Sequence, residues 1–115
     1  MEKKMAGKFE LKKAKNGQFM FNLKASNGEI ILTSEMNKAK GSAKNGIESV
    51  KKNAKTSKIY KPLTSKKGEP YFVLRAGNNQ VIGTSETYSS ESAMKNGMDS
   101  VKKTAPGAGI EDITK

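Results

Sequence analysis

The stretch NGQFMFNLKASNGEIILTSEMNKAKGSAKNGIESVKKNA, Asn16 to Ala54, decides the fold. A shift of 51 positions lays it without a gap on KGEPYFVLRAGNNQVIGTSETYSSESAMKNGMDSVKKTA, Lys67 to Ala105. Between Gly17/Gly68 and Ala54/Ala105, 17 of 38 positions are identical. The strongest shared block is KNG, two variable residues, then SVKK, at Lys44 to Lys52 and Lys95 to Lys103. Self-similarity at a fixed period marks a repeated structural unit, so the chain reads as two copies of one motif.

Within each copy the apolar residues change period. Phe19, Phe21, Leu23 and Ala25 alternate with Met20, Asn22 and Lys24, and Phe72, Leu74 and Ala76 alternate with Tyr71, Val73 and Arg75. Period two is the mark of a half-buried strand. Asn16-Gly17 and Asn27-Gly28 accept positive φ and mark hairpin turns on either side of the first of these strands. Phe9 and Leu11 alternate with Lys8, Glu10 and Lys12 as the strand before, and Glu29 to Thr33, matched by Gln80 to Thr84, is the strand after. Short connections make such neighbours antiparallel.

From about Lys38 to Ala54, Ala39, Ala43, Ile47, Val50 and Ala54 step by four and three along one face. Ser90, Met94, Met98, Val101 and Ala105 take the same places in the second copy, and the pattern is that of an amphipathic helix. Asn37 and Ser89 are the N-cap candidates. Gly46 and Gly97 fall mid-helix, where glycine costs about 1 kcal/mol relative to alanine. Their place beside the apolar stripe points to close approach of helix to sheet rather than to a functional kink.

The segment Ser57 to Leu63 overlays Ala108 to Thr114 under the same shift, while Tyr60 also overlays Phe9. One segment thus ends the first repeat and begins the second, and Pro62 confines it to a sheet edge or a strand end. A single copy is too thin to bury its own sheet face. Two copies about a pseudo-twofold make one antiparallel sheet with both helices on one side. Residues 1–6 are expected to form a mobile leader and 7–115 a single α+β domain, with repeat one at about 7–63 and repeat two at about 57–115 sharing the strand near 57–63.

NG-x-F-x-F-x-L-K-A-x-NGE-x-I, then TSE, then NGIESVKKNA, resembles the YegP-like family of small uncharacterised bacterial proteins, over Gly7 to Thr114. The resemblance implies tandem β-β-β-α-β motifs in one sheet with their C-terminal strands exchanged between repeats, which the double reading of Ser57 to Leu63 suggests independently. It carries no activity with it. Lys38 in place of a Ser cap, Pro70 at a strand start and Gly83 within a strand are the departures.

Composition narrows the chemistry. The 115 residues include no His and no Cys, which removes an imidazole base, a thiolate nucleophile, a disulfide framework and an ordinary zinc site. Neither a membrane-spanning apolar run nor an apolar signal segment is present, so the expected address is the cytoplasm. Thr33-Ser34-Glu35 recurs as Thr84-Ser85-Glu86. A carboxylate near its ordinary pKa is a poor base for serine, and the motif reads as a turn and capping cluster. Glu111 and Asp112 are adjacent in a strand, point to opposite faces and cannot share a metal or a proton. No catalytic residue, metal or cofactor is expected.

The remaining signal is charge. Lys plus Arg number 22 against 11 Asp plus Glu, a formal net charge of +11, and Arg75 is the one arginine. Divided at residue 56, the first part holds 13 basic and 5 acidic residues and the second 9 and 6, a bias toward a polyanion-facing first part. With the helices on one side of the sheet, Met20, Lys24, Tyr71, Val73 and Arg75 point to the other, joined by Lys12.

This face is expected to bind single-stranded nucleic acid or another polyanion weakly and in a salt-sensitive way. Tyr71 would stack a base while Lys12, Lys24 and Arg75 neutralise phosphates. The alternative is a protein interface or self-association centred on Met20, Tyr71 and Val73, and the plainest reading is a solvated sheet face. A monomer is expected over a homodimer, since the tandem repeat supplies its own pseudo-twofold, and no membrane partner is expected.

Overall fold

A computed structural model describes residues 7–25, 28–76 and 80–114. The leader expected over residues 1–6, and Asn27 of the second turn, lie outside the described residues. The first copy runs β1 (Lys8–Lys13), β2 (Phe19–Lys24), β3 (Ile30–Ser34) and α1 (Lys40–Asn53). The second runs β4 (Tyr60–Thr64), β5 (Pro70–Arg75), β6 (Val81–Thr84) and α2 (Glu91–Thr104), and the chain closes with β7 (Gly109–Asp112). The turn at Asn16-Gly17 forms as its chemistry dictates, with Gly17 at φ +84° and the Gln18 N–H donating to Asn16 Oδ1 at 3.0 Å.

The strands make one seven-stranded sheet in the order β4-β5-β6-β3-β2-β1-β7. The two copies meet last strand to last strand at its centre, where β3 and β6 pair antiparallel with Thr33 opposite Thr84. One pairing departs from the expected antiparallel pattern: β7 lies parallel to β1, with Lys8 opposite Gly109 and Glu10 opposite Glu111. The crossover through α2 and a 3-10 turn at Ala105–Gly107 returns the chain to the starting end of β1, and a strand entering from that end runs parallel.

The C-terminal strands are exchanged as expected, since β4 after α1 pairs with β5 of the second copy and β7 after α2 pairs with β1 of the first. After α1 the chain makes a 3-10 turn at Ser57–Ile59, shortening the strand expected near 57–63, and enters β4, an edge strand as Pro62 requires. The returning segment is held by the first copy: Lys51 Nζ donates to the Ala108 carbonyl at 2.8 Å, Lys40 pairs with Asp112 at 2.6 Å and Lys8 with Glu111 at 2.7 Å. The hydrogen bonds from Lys40, first, and from Thr114 hold the Asp112 carboxyl well below the usual carboxylate range.

All large side chains of the inner face join one cluster. Phe9, Leu11, Phe21, Leu23, Leu32, Phe72 and Leu74 from the sheet meet Ala43, Ile47 and Val50 of α1 and Met94 and Val101 of α2. Burying each large apolar side chain contributes roughly 1.5–3 kcal/mol, and since both copies feed one cluster neither has a core of its own. Gly46 marks the close approach expected, because a Cβ there would lie 3.0 Å from the Phe21 ring.

The caps differ from expectation. α1 begins at Ala39 without a side-chain cap; the Asn37 backbone is tied instead to Phe19, and its Nδ2 donates to the Glu35 carbonyl. α2 is capped by Ser90 rather than Ser89, its Oγ accepting from the Ala93 N–H at 3.1 Å.

Candidate functional site

The face of the sheet away from the helices is built on one row that crosses all seven strands. Glu111, Glu10, Asn22, Thr33, Thr84, Val73 and Lys61 stand opposite one another in turn. The Asn22 side chain bridges the first half by donating to Thr33 Oγ1 at 2.9 Å. Three members of this row are buried even though no helix packs on it: Glu10 is 8%, Asn22 4% and Val73 7% exposed, while Thr33 and Thr84 between them are partly exposed.

The six residues singled out from the sequence all fall on this face, in two groups. In the first copy Lys12 is opposite Met20 and Lys24 opposite Lys8. In the second, Tyr71 is opposite Leu63, Val73 opposite Lys61 and Arg75 opposite Val81. Val73 does not offer the dry centre that a protein interface on this face calls for. Among the described residues the large exposed apolar side chains are Met36, Val81, Ile110 and Ile113, of which Val81 stands opposite Arg75.

The first group is partly offset by a carboxylate and keeps a net positive charge. The Glu10 carboxylate lies 3.1 Å from Lys24 Nζ and 3.6 Å from both Lys8 and Lys12. Burial, the largest single influence, pushes the Glu10 carboxyl up, but the combined pull of Lys24, Lys12 and Lys8 leaves it below the ordinary value. The sequence reading passed over Glu10, since it shows only that residue's alternation with Phe9 and Leu11. The β1–β2 register brings Lys24 beside it, and that register is not written locally.

The second group has no such carboxylate. At the position equivalent to Glu10 stands Lys61, and among the described residues neither Lys61 nor Arg75 makes an ion pair. Among the described residues, the Nε of Arg75 is buried without a hydrogen-bond partner.

The repeated Thr-Ser-Glu segments have a structural task. Ser34 Oγ accepts from the Phe21 N–H at 2.9 Å and donates to the Glu35 carbonyl at 2.8 Å. Ser85 does the same with Phe72 and Glu86, at 2.9 and 2.7 Å. Each hydroxyl closes the sheet ladder where the strand ends, and its proton is committed to a backbone carbonyl rather than to a carboxylate base. Among the described residues no cluster of His, Cys, Asp or Glu is placed to hold a metal ion, and no helix is long and apolar enough to cross a membrane.

Comparison with known proteins matches the duplication. A family model for a domain of unknown function, DUF1508, fits the chain twice, at residues 14–60 and 65–112. The UPF0339 protein YegP of Yersinia pestis is 57% identical over 108 residues, covering 94% of this chain and 96% of that protein. A UPF0339 protein of Pseudomonas aeruginosa is 53% identical, covering 94% and 98%. Among solved structures, the solution NMR structure of the protein of unknown function yegP from E. coli superposes with a TM-score of 0.92 at 42% identity, covering 98% of this chain and 97% of that one. A UPF0339 protein from Shewanella oneidensis, also solved by NMR, gives 0.90 at 48%, covering 96% and 93%.

Proposed function

The chain belongs to the YegP-like family, carrying its DUF1508 domain of unknown function in two tandem copies, and from that premise we propose that it is a binding module whose open sheet face takes an anionic ligand at the second copy. The ligand class is a polyanion with an exposed backbone, such as single-stranded nucleic acid. Arg75 and Lys61 engage the anionic oxygens and Tyr71, two residues from Val73, supplies a ring against a base. The observation that carries this reading is that, among the described residues, neither Lys61 nor Arg75 makes an ion pair. The first copy contributes less, because Glu10 and Glu111 offset part of the charge of Lys8, Lys12 and Lys24. With no second arginine on the face, bidentate readout of bases is limited, and binding depends on salt more than on sequence.

Fluorescence anisotropy of labelled single-stranded DNA and RNA at about 50 and 200 mM salt tests the reading. Binding at the lower salt that weakens about tenfold in Arg75→Gln and changes less than about twofold in Lys24→Gln supports it. Absence of binding at the lower salt, or equal losses in the two variants, rejects it.

A further inference from the structure

The most strongly repeated block carries Asn45, Gly46 and Ser49 in the first copy and Asn96, Gly97 and Ser100 in the second, and the open face uses none of them. They line two clefts on the helix side, each between the helix of one copy and a central strand of the other. The first cleft, about 260 Å³, sets these residues of α1 against Val81 and Ile82, with Phe21 at its base. The second, about 250 Å³, sets α2 against Ile31.

One position distinguishes them. Asn37 lines the first cleft and Tyr88 the second. Their backbones are held alike: the Asn37 N–H donates to the Phe19 carbonyl at 2.7 Å and the Tyr88 N–H to the Pro70 carbonyl at 2.8 Å. The Tyr88 ring lies parallel to Phe72, 6.4 Å between centroids, and so near Gly97 that a Cβ there would be 2.2 Å from its hydroxyl oxygen. In the second copy, then, glycine is needed to admit a phenol ring. The volume that remains there lies outside that ring. In the first copy no ring intervenes, Phe21 itself reaches Gly46, and the space above it is bounded by Val81 and Ile82 on one side and Asn45 and Ser49 on the other.

We propose that the cleft over Gly46 binds the ring of a small neutral phenol, a group of the kind that Tyr88 supplies within the chain to the second copy. The volume suffices, since an apolar cavity of roughly 150 Å³ accepts benzene. The rim selects a neutral ring bearing a donor: Glu35 stands where the second copy has Glu86, and burial together with the charges of Glu29 and Glu86 keeps the Tyr88 hydroxyl protonated to higher pH. A carboxylate at the cleft mouth accepts from a phenol and repels an anionic ring.

The test is a titration of the intact, isotope-labelled chain with p-cresol, followed by amide chemical shifts. Saturable shifts centred on Asn45, Gly46, Ser49 and Ile82 are expected, with 4-methylbenzoate at least about tenfold weaker. Asn37→Tyr, which places the chain's own ring in the cleft, should weaken p-cresol by about tenfold or more. Ser49→Trp, on the helix rim, should do the same even if Asn37→Tyr does not fold. Shifts that map elsewhere or fail to saturate, equal binding of the benzoate, or unaltered affinity in a folded variant overturn the proposal.

Discussion

Glu10 in the first copy and Lys61 in the second stand at equivalent points of the same cross-strand row, one opposite Asn22 and the other opposite Val73. Around Glu10 three lysines share one carboxylate, whereas among the described residues Lys61 and Arg75 make no ion pair. The helix side shows the same divergence, with Tyr88 against Gly97 in one copy and Asn37 lining the cleft over Gly46 in the other. The comparison teaches that duplication keeps a few anchors of the shared core, Phe21/Phe72, Leu23/Leu74 and Val50/Val101, the same in both copies. Around those anchors the two copies have become different on both sides of the sheet.

The largest effect should fall where the copies do not act separately. Phe72→Ala removes a ring that meets both Tyr60 and Tyr88, and is expected to cost about 3–5 kcal/mol. Because Phe21 and Phe72 share one cluster, denaturant melting of the variant should remain one transition by fluorescence and by circular dichroism. Two separated transitions would mean that the copies have independent cores.

Ser34→Ala and Ser85→Ala test where the copies remain equivalent. Each leaves a buried phenylalanine N–H without its acceptor and should cost about 1–3 kcal/mol, with the two values close to each other. A marked inequality in urea melts would show that the ladder closure is not symmetric.

The two mid-helix glycines test where they differ. Alanine at either gains about 1 kcal/mol of helix propensity, but at Gly97 it collides with the Tyr88 ring and at Gly46 it meets only the edge of Phe21. Gly97→Ala is therefore expected to be less stable than Gly46→Ala by about 1–2 kcal/mol. The difference should vanish in a Tyr88→Ala background, as a double-mutant cycle would read directly.

The smallest effect is a dependence on pH. The Glu10 carboxyl is held below its ordinary 4.5, so the stability that it contributes is fully present above that value and is lost as pH falls through the depressed one. Glu10→Gln should flatten the acid side of the stability curve, and Lys61→Ala should leave it unchanged.

The sequence disclosed what local pattern controls. Alternation at Phe19 to Ala25, the turn at Asn16-Gly17 and the three-and-four spacing from Ala39 to Ala54 are each written within a few residues, and all appear in the structure. The joining of the copies was legible from the thinness of one repeat. The parallel β7 was not, because it depends on where α2 releases the chain relative to β1. Asn37 was misread as a cap because the pairing that occupies its backbone comes from Phe19, eighteen residues earlier. The six outer-face residues were found by parity alone, but parity is blind to Glu10, whose effect depends on the register between β1 and β2. The greater positive charge of the first part does not show which cations are paired, and the register sets Lys8, Lys12 and Lys24 around Glu10.

The contrast between Glu10 and Lys61 is tested most directly by the salt dependence of single-stranded oligonucleotide binding for the wild type, Lys61→Glu and Glu10→Gln. The account predicts that Lys61→Glu weakens binding by about tenfold with a flatter salt slope. Glu10→Gln should tighten binding, with a slope steeper by about 0.7 for each lysine released. Unchanged binding in Lys61→Glu, or no gain in Glu10→Gln, would contradict it.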